Sequence, residues 1–132
     1  MININQDTWE NTSVAILGAG RSGIAAAKLG KEIGAKIFIS EKNNLNEYNK
    51  NITDFEHELG GHTSMILNAD VVIISPGISN DIPIIKECLV NDIPIVSEIE
   101  FASWFTSSPI LAITGSNGKT TTVNLLHEMC MN

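Results

Sequence analysis

Residues 14–34 read VAILGAGRSGIAAAKLGKEIG, an apolar run, a glycine turn and a helical run in succession. The continuous apolar run Val14–Leu17 has the length and character of a buried parallel strand. The turn Gly18-Ala-Gly20-Arg-Ser-Gly23 follows, and then a run of helix formers that stops at Gly34. Glycines at the first, third and sixth places of a strand-to-helix turn serve three needs. Gly18 permits the tight turn, Gly20 lets a ligand approach the backbone, and Gly23 lets helix and strand pack closely. The free N–H groups of the helix start and its dipole favour an anion such as a diphosphate. At the end of the second strand, AKIFIS (35–40), stands Glu41, an acidic residue where dinucleotide enzymes bind ribose hydroxyls. At this point NAD is a live candidate ligand.

The rhythm continues downstream. ADVVIISPG (69–77) is a strand running into a Pro-Gly turn, DIPIIKECLVND (81–92) a helix, IPIVSE (93–98) a strand and IEFASWF (99–105) a short helix. Residues 41–61 predict a loop with helical turns ending at Gly60-Gly61, and HTSMI (62–66) a short strand. Strands alternating with helices predict an α/β fold with a Rossmann-like parallel sheet and helices on both faces.

After the link TSSP (106–109), ILAIT (110–114) predicts a new strand, and residues 120–132 a helix. Between them lies GSNGKTTT (115–122). Backbone N–H groups after such a glycine turn cradle phosphates, a lysine neutralises β/γ charge and a hydroxyl meets Mg²⁺. That assigns Gly115, Ser116, Asn117, Gly118, Lys119, Thr120 and Thr121 to ATP phosphates, with Lys119 catalytic and Thr120 on Mg²⁺. The general pattern G-x-x-x-x-G-K-[ST] would need glycine at Ile113; here the glycine is Gly115. Lys119 at a helix start opposes the macrodipole unless an anion is bound. Two domains are expected, 1–106 for the Rossmann-like part and 107–132 for the start of an ATPase domain. Ile110, Leu111, Ile113, Leu125, Leu126 and Met129 need a packing partner beyond this short second piece.

Bulk properties narrow the rest. The 132 residues are 43% hydrophobic and 17% charged with net charge −7, an ordinary globular composition. Eight scattered Lys and Arg speak against a nucleic-acid partner. The polar start and strand-length apolar runs predict neither signal peptide nor membrane span, hence a cytoplasmic protein. Cys88 and Cys130 read as plain thiols, and His57, His62 and His127 as surface or packing residues. Glu98 and Glu100 read as solvating and capping, Trp9 and Trp104 as packing.

The set LGAGRSG (17–23), SPGI (75–78), SEIEF (97–101) and ITGSNGKTT (113–121) resembles the Mur ligases of peptidoglycan synthesis, in their order and spacing. The branch it resembles most joins D-glutamate to UDP-N-acetylmuramoyl-L-alanine through an acyl phosphate made with MgATP. The resemblance implies that the first glycine loop (Gly18, Gly20, Arg21, Ser22, Gly23) binds UDP rather than NAD. It further implies that Glu41 reads uracil and that the backbone of Gly77 borders the uridine. Asn43 stands where the family often has a basic residue, with Lys42 beside it. The chain is then expected to be the N-terminal piece of a three-domain ligase, its further magnesium ligands and amino-acid domain lying downstream, and to be inactive in isolation. The alternatives are a non-catalytic UDP-sugar binding module and an NAD-binding Rossmann protein.

Overall fold

A computed structural model of the chain describes residues 9–47 and 49–131. Tyr48 and Asn132, which fall within the expected loop and the expected last helix, lie outside the described residues, as does the polar start 1–8.

Five parallel strands form one sheet in the order β3-β2-β1-β4-β5. They are β1 (Ser13–Leu17), β2 (Lys36–Glu41), β3 (Glu56–Leu59), β4 (Val71–Ile74) and β5 (Ile95–Ser97). β1 sits at the centre, with Ala15 opposite Phe38 on one side and Val72 on the other. Its flanking pairs explain why VAIL is apolar throughout: a central strand covered on both faces has no solvated side.

Alternate residues of each strand feed two cores. Val14, Ile16, Ile39, Val71 and Ile73 face α1 (Arg21–Glu32) and α3 (Glu98–Ser103), meeting Ile24, Ala27 and Phe101. Ala15, Leu17 and Val72 face α2 (Pro83–Val90) and a 3₁₀ turn, Ser64–Asn68, meeting Ile84, Ile85, Cys88 and Ile66. Each fully buried Ile, Leu or Phe contributes about 1.5–3 kcal/mol of transfer free energy. Helices thus cover both faces, as expected. Trp9 closes the first core by stacking on Trp104 at 6.1 Å and meeting Phe101 edge-on at 5.9 Å. Pro83 takes the first position of α2, where its missing N–H would have had no partner.

Three expectations are corrected. Residues 56–59, expected in a loop with helical turns, form β3; only Lys50–Asp54 is a 3₁₀ helix. EHEL lacks an apolar alternation because it is a half-covered edge strand that pairs with β2 alone. Residues 64–68, expected partly as a strand, form the 3₁₀ turn that drops Ile66 into the second core, with Thr63 capping Met65 N–H. Finally, 110–114 is not a strand. A strand exists by pairing, and among the described residues ILAIT has no neighbouring strand.

The last helix does form, as α4 (Lys119–Met131), but it carries no buried residue. Ile110, Leu111, Leu125 and Met129 are each more than half exposed. These four side chains are therefore not docked on the sheet, whereas Ile113 and Leu126 are half-buried. Among the described residues, no helix is long and apolar enough to cross a membrane.

Candidate functional site

Strand order reverses at β1: the chain runs outward to β2 and β3, then returns to lay β4 against the other side of β1. In parallel sheets the loops diverge at such a point and leave a crevice beyond the carboxyl ends of the strands. Here that crevice has a volume of about 720 Å³. Gly18, Glu41, Gly60, His62, Gly77 and the start of α2 at Pro83 are among the residues lining it.

The glycine loop is held from three directions. Gly18 adopts φ +97°, a conformation closed to most side chains. Its N–H donates to the Ser40 carbonyl at 2.9 Å. A Cβ on Gly23 would lie 2.0 Å from the Gly18 carbonyl oxygen, so only glycine lets α1 start this close to β1. Gly20, by contrast, has no atom within 4 Å of where its Cβ would be. It precedes α1 with φ −69° and ψ −178° and offers no side-chain cap. The first N–H groups of α1 thus have no side-chain cap, an arrangement that suits an anion.

Two carboxylates brace this loop. Glu41, almost fully buried, accepts from Ala19 N–H through Oε2 and from both the backbone N–H and the Nδ2 of Asn43 through Oε1, all at 2.8 Å. Of roughly four acceptor sites on a carboxylate, three are thus engaged within the protein. Glu98, also buried, accepts from the Ser22 hydroxyl at 3.0 Å and the Ser75 hydroxyl at 2.6 Å on the same oxygen. The solvating role expected for Glu98 is corrected: it ties α1, the end of β4 and α3 together. Glu100 does stay outside, its N–H capped by the Ser97 hydroxyl at 3.1 Å.

A third cluster stands at the β2–β3 side of the crevice. The Ser40 hydroxyl lies 2.6 Å from Glu58 Oε1 and 2.6 Å from His62 Nδ1. Glu58 also accepts from the N–H and hydroxyl of Thr63, at 2.9 and 2.6 Å. Burial by itself pushes the Glu58 carboxyl up, but the hydrogen bonds from Ser40 and Thr63 outweigh it and hold the group below its ordinary value. Burial also pushes the His62 imidazole down, with Glu58 and Glu41 opposing that shift. His62, expected as a surface or packing residue, stands instead in this cluster; the signal in the sequence is its place just after the Gly60-Gly61 pair. His57 bonds the Phe55 carbonyl instead, and His127 is exposed on α4.

The residues expected at a nucleotide are therefore gathered in part. Gly18, Glu41 and Gly77 line one crevice; Gly20, Arg21 and Ser22 lie exposed on the adjoining loop and helix start; Gly23 is buried beneath it. Gly115, Ser116, Asn117, Gly118, Lys119, Thr120 and Thr121 are all exposed, and none lines this crevice. There Gly115 and Gly118 have φ +149° and +77°, the Lys119 ammonium folds back on the Gly115 carbonyl, and the Thr122 hydroxyl donates to the Gly118 carbonyl.

Comparisons with known proteins agree with this architecture. A model of the MurD N-terminal domain matches residues 13–84, from the start of β1 into α2. UDP-N-acetylmuramoylalanine--D-glutamate ligase of Salinibacter ruber is 41% identical over 122 residues, covering 90% of this chain and 26% of the relative. The enzyme of that name from Bacteroides thetaiotaomicron is 46% identical over 120 residues, covering 88% of the chain and 27% of the relative. This chain thus spans about a quarter of the length of these curated relatives. Among solved structures, UDP-N-acetylmuramate-alanine ligase MurC of Thermotoga maritima superposes with TM-score 0.61 at 20% identity, over 89% of this chain and 28% of that one. A pseudomurein peptide ligase type C from Methanothermus fervidus gives 0.60 at 25% identity, over 89% and 25%. With the glycine loop, the parallel sheet and the matched residues in agreement, the chain belongs to the MurD N-terminal domain family of the Mur ligases.

Proposed function

We propose that the crevice at the carboxyl ends of β1, β2 and β4 holds the uridine diphosphate part of UDP-N-acetylmuramoyl-L-alanine. In this reading the chain is the nucleotide-binding part of a ligase that adds D-glutamate to that substrate. The observation that carries the reading is the convergence of Gly18, at the start of the glycine loop, Glu41 and Gly77 on one crevice of about 720 Å³. The diphosphate would lie against the backbone at Gly20, where no protein atom occupies the space a side chain would fill. Arg21 would add a cation at this helix start, while Ser22, whose hydroxyl proton goes to Glu98, anchors the helix start beside the ligand. The NAD alternative draws less support. It asks Glu41 to take two ribose hydroxyls, while three of its acceptor sites are engaged by Ala19 and Asn43.

We assign the region from residue 107 onward to a second unit, beginning an ATP-binding domain. Its donor set fits a polyphosphate: positive-φ glycines at 115 and 118 expose loop N–H groups, and Lys119 and the hydroxyls of Thr120 and Thr121 follow directly. Lys119 would neutralise phosphate charge and Thr120 would hold Mg²⁺. When bound, MgATP supplies the phosphoryl group that turns a substrate carboxylate, a poor electrophile, into an acyl phosphate open to the D-glutamate amine. The protein's part is positioned charge at the transferring group.

Titration calorimetry of the 132-residue chain with UDP-N-acetylmuramoyl-L-alanine tests the reading. Saturable heat with one site per chain, lost in Gly20→Val, is expected. A folded sample that takes up neither this compound nor UDP at millimolar concentration refutes it.

A further inference from the structure

The Ser40 hydroxyl has a single proton and two close neighbours, Glu58 Oε1 and His62 Nδ1, each at 2.6 Å. A third contact, the Gly61 carbonyl at 3.3 Å, is longer. If the proton pointed at His62, the lone pairs of Ser40 and the Glu58 carboxylate would face each other across 2.6 Å. The proton therefore goes to the carboxylate, the charged and stronger acceptor. The Ser40 oxygen then accepts, and His62 must carry its proton on Nδ1. A neutral imidazole with Nδ1–H has a bare lone pair on Nε2. That nitrogen is on the ring edge turned away from Ser40, in a residue that lines the crevice. Among the described residues nothing bonds to it.

We propose that His62 reads a hydrogen-bond donor of the bound nucleoside through Nε2, with Ser40 and Glu58 as positioning residues that fix the tautomer. The proposal rests on the nucleotide reading above and deepens it. A nucleoside presents two kinds of donor at such a place, an imide N–H of the base and a ribose hydroxyl. Glu41, the other acceptor at the end of β2, has about one free acceptor site left, so an additional acceptor in the crevice has a job to do.

Protonation converts Nε2 from acceptor to donor, so acid must abolish this contact. The charged groups facing the ring are Glu58 on β3, Glu41 at the end of β2 and Lys42 just after it. Burial lowers the His62 pKa, which places the loss below pH 6.5, the ordinary histidine value.

The test uses the whole 132-residue chain. At pH 7.5, His62→Phe is expected to bind UDP about 3–10-fold more weakly, the worth of one hydrogen bond. N3-methyl-UDP and 2′-deoxy-UDP identify the donor: the wild type should lose that same factor with one of them, and the phenylalanine variant should lose nothing further with it. Far-ultraviolet circular dichroism checks that the variant is folded. A second arm varies the pH. Wild-type affinity for UDP-N-acetylmuramoyl-L-alanine, whose diphosphate diester does not titrate near neutrality, should be constant above pH 6.5 and fall on acidification. Equal UDP affinity in folded His62→Phe and wild type, or an acid-induced loss of affinity that His62→Phe leaves unchanged, overturns the proposal while leaving the nucleotide reading intact. Failure of the wild type to bind either nucleotide removes both.

Discussion

Replacing Gly23 by alanine puts a methyl carbon 2.0 Å from the carbonyl oxygen of Gly18. A carbon and a carbonyl oxygen in ordinary contact are about 3.3–3.6 Å apart, so loop and helix must separate by more than 1 Å. Neither side yields easily. Gly18 is pinned by its N–H bond to Ser40 and by Ala19 N–H on Glu41, and α1 is packed through Ile24, Ala26 and Ala27. Overpacking in a close-packed core costs about 1–3 kcal/mol, occasionally more. A backbone-to-backbone clash belongs at the upper end, because there is no flexible side chain to move aside. At about 4–5 °C per kcal/mol for roughly 100 folded residues, the midpoint should fall by about 12–15 °C for a 3 kcal/mol loss. Thermal unfolding followed at 222 nm measures it. Gly20→Ala is the internal control: no atom within 4 Å and an ordinary φ of −69° predict a midpoint within about 2 °C of wild type. A Gly23→Ala protein melting within 2 °C of wild type would refute the argument that glycine is required there for close packing.

Other outcomes follow from the same contacts. Gly20→Ala, harmless to stability, should weaken UDP binding by about tenfold or more, equivalent to about 1.4 kcal/mol, by obstructing approach to the backbone; calorimetry reads the separation of the two effects. Glu41→Gln places an amide donor against either Ala19 N–H or the Asn43 donors, and denaturant unfolding should show a loss of about 1–3 kcal/mol. Stability should decline in acid in two stages. His62, lowered when folded, contributes fully above pH 6.5 and loses that contribution as pH falls below it; Glu58, also lowered, contributes fully above pH 4.5 and loses it as pH falls through its folded value. Melting midpoints from pH 7.5 to 3.5 check this, and Ser40→Ala should flatten the Glu58 stage. Cys88 is buried, and its thiol is pushed up by that burial and by Glu87, whereas Cys130 is exposed. A maleimide should therefore label one thiol in the native protein and two only after unfolding, as counted by mass spectrometry.

Local features were legible in the order of residues alone. VAIL, the glycine turn and the helix after it are specified by apolar runs and by backbone conformations that only glycine reaches, so β1, α1 and the crevice mouth were legible from residues 14–34. The same holds for β4, α2, β5 and α3, whose boundaries moved by only a few residues. Features that depend on a neighbour took shape only in the packed sheet. EHEL becomes a strand because β2 offers an edge, and ILAIT fails to become one because no such edge reaches it. The chemical detail of the site follows the same division. The bonds joining Glu41 to Ala19, Ser22 and Ser75 to Glu98, and Ser40 to Glu58 and His62 span 18 to 76 residues. Periodicity and propensity act within a few residues and carry no information across such distances. Which carboxylate braces the loop, and which histidine faces the crevice, is fixed only when the sheet brings the strand ends together.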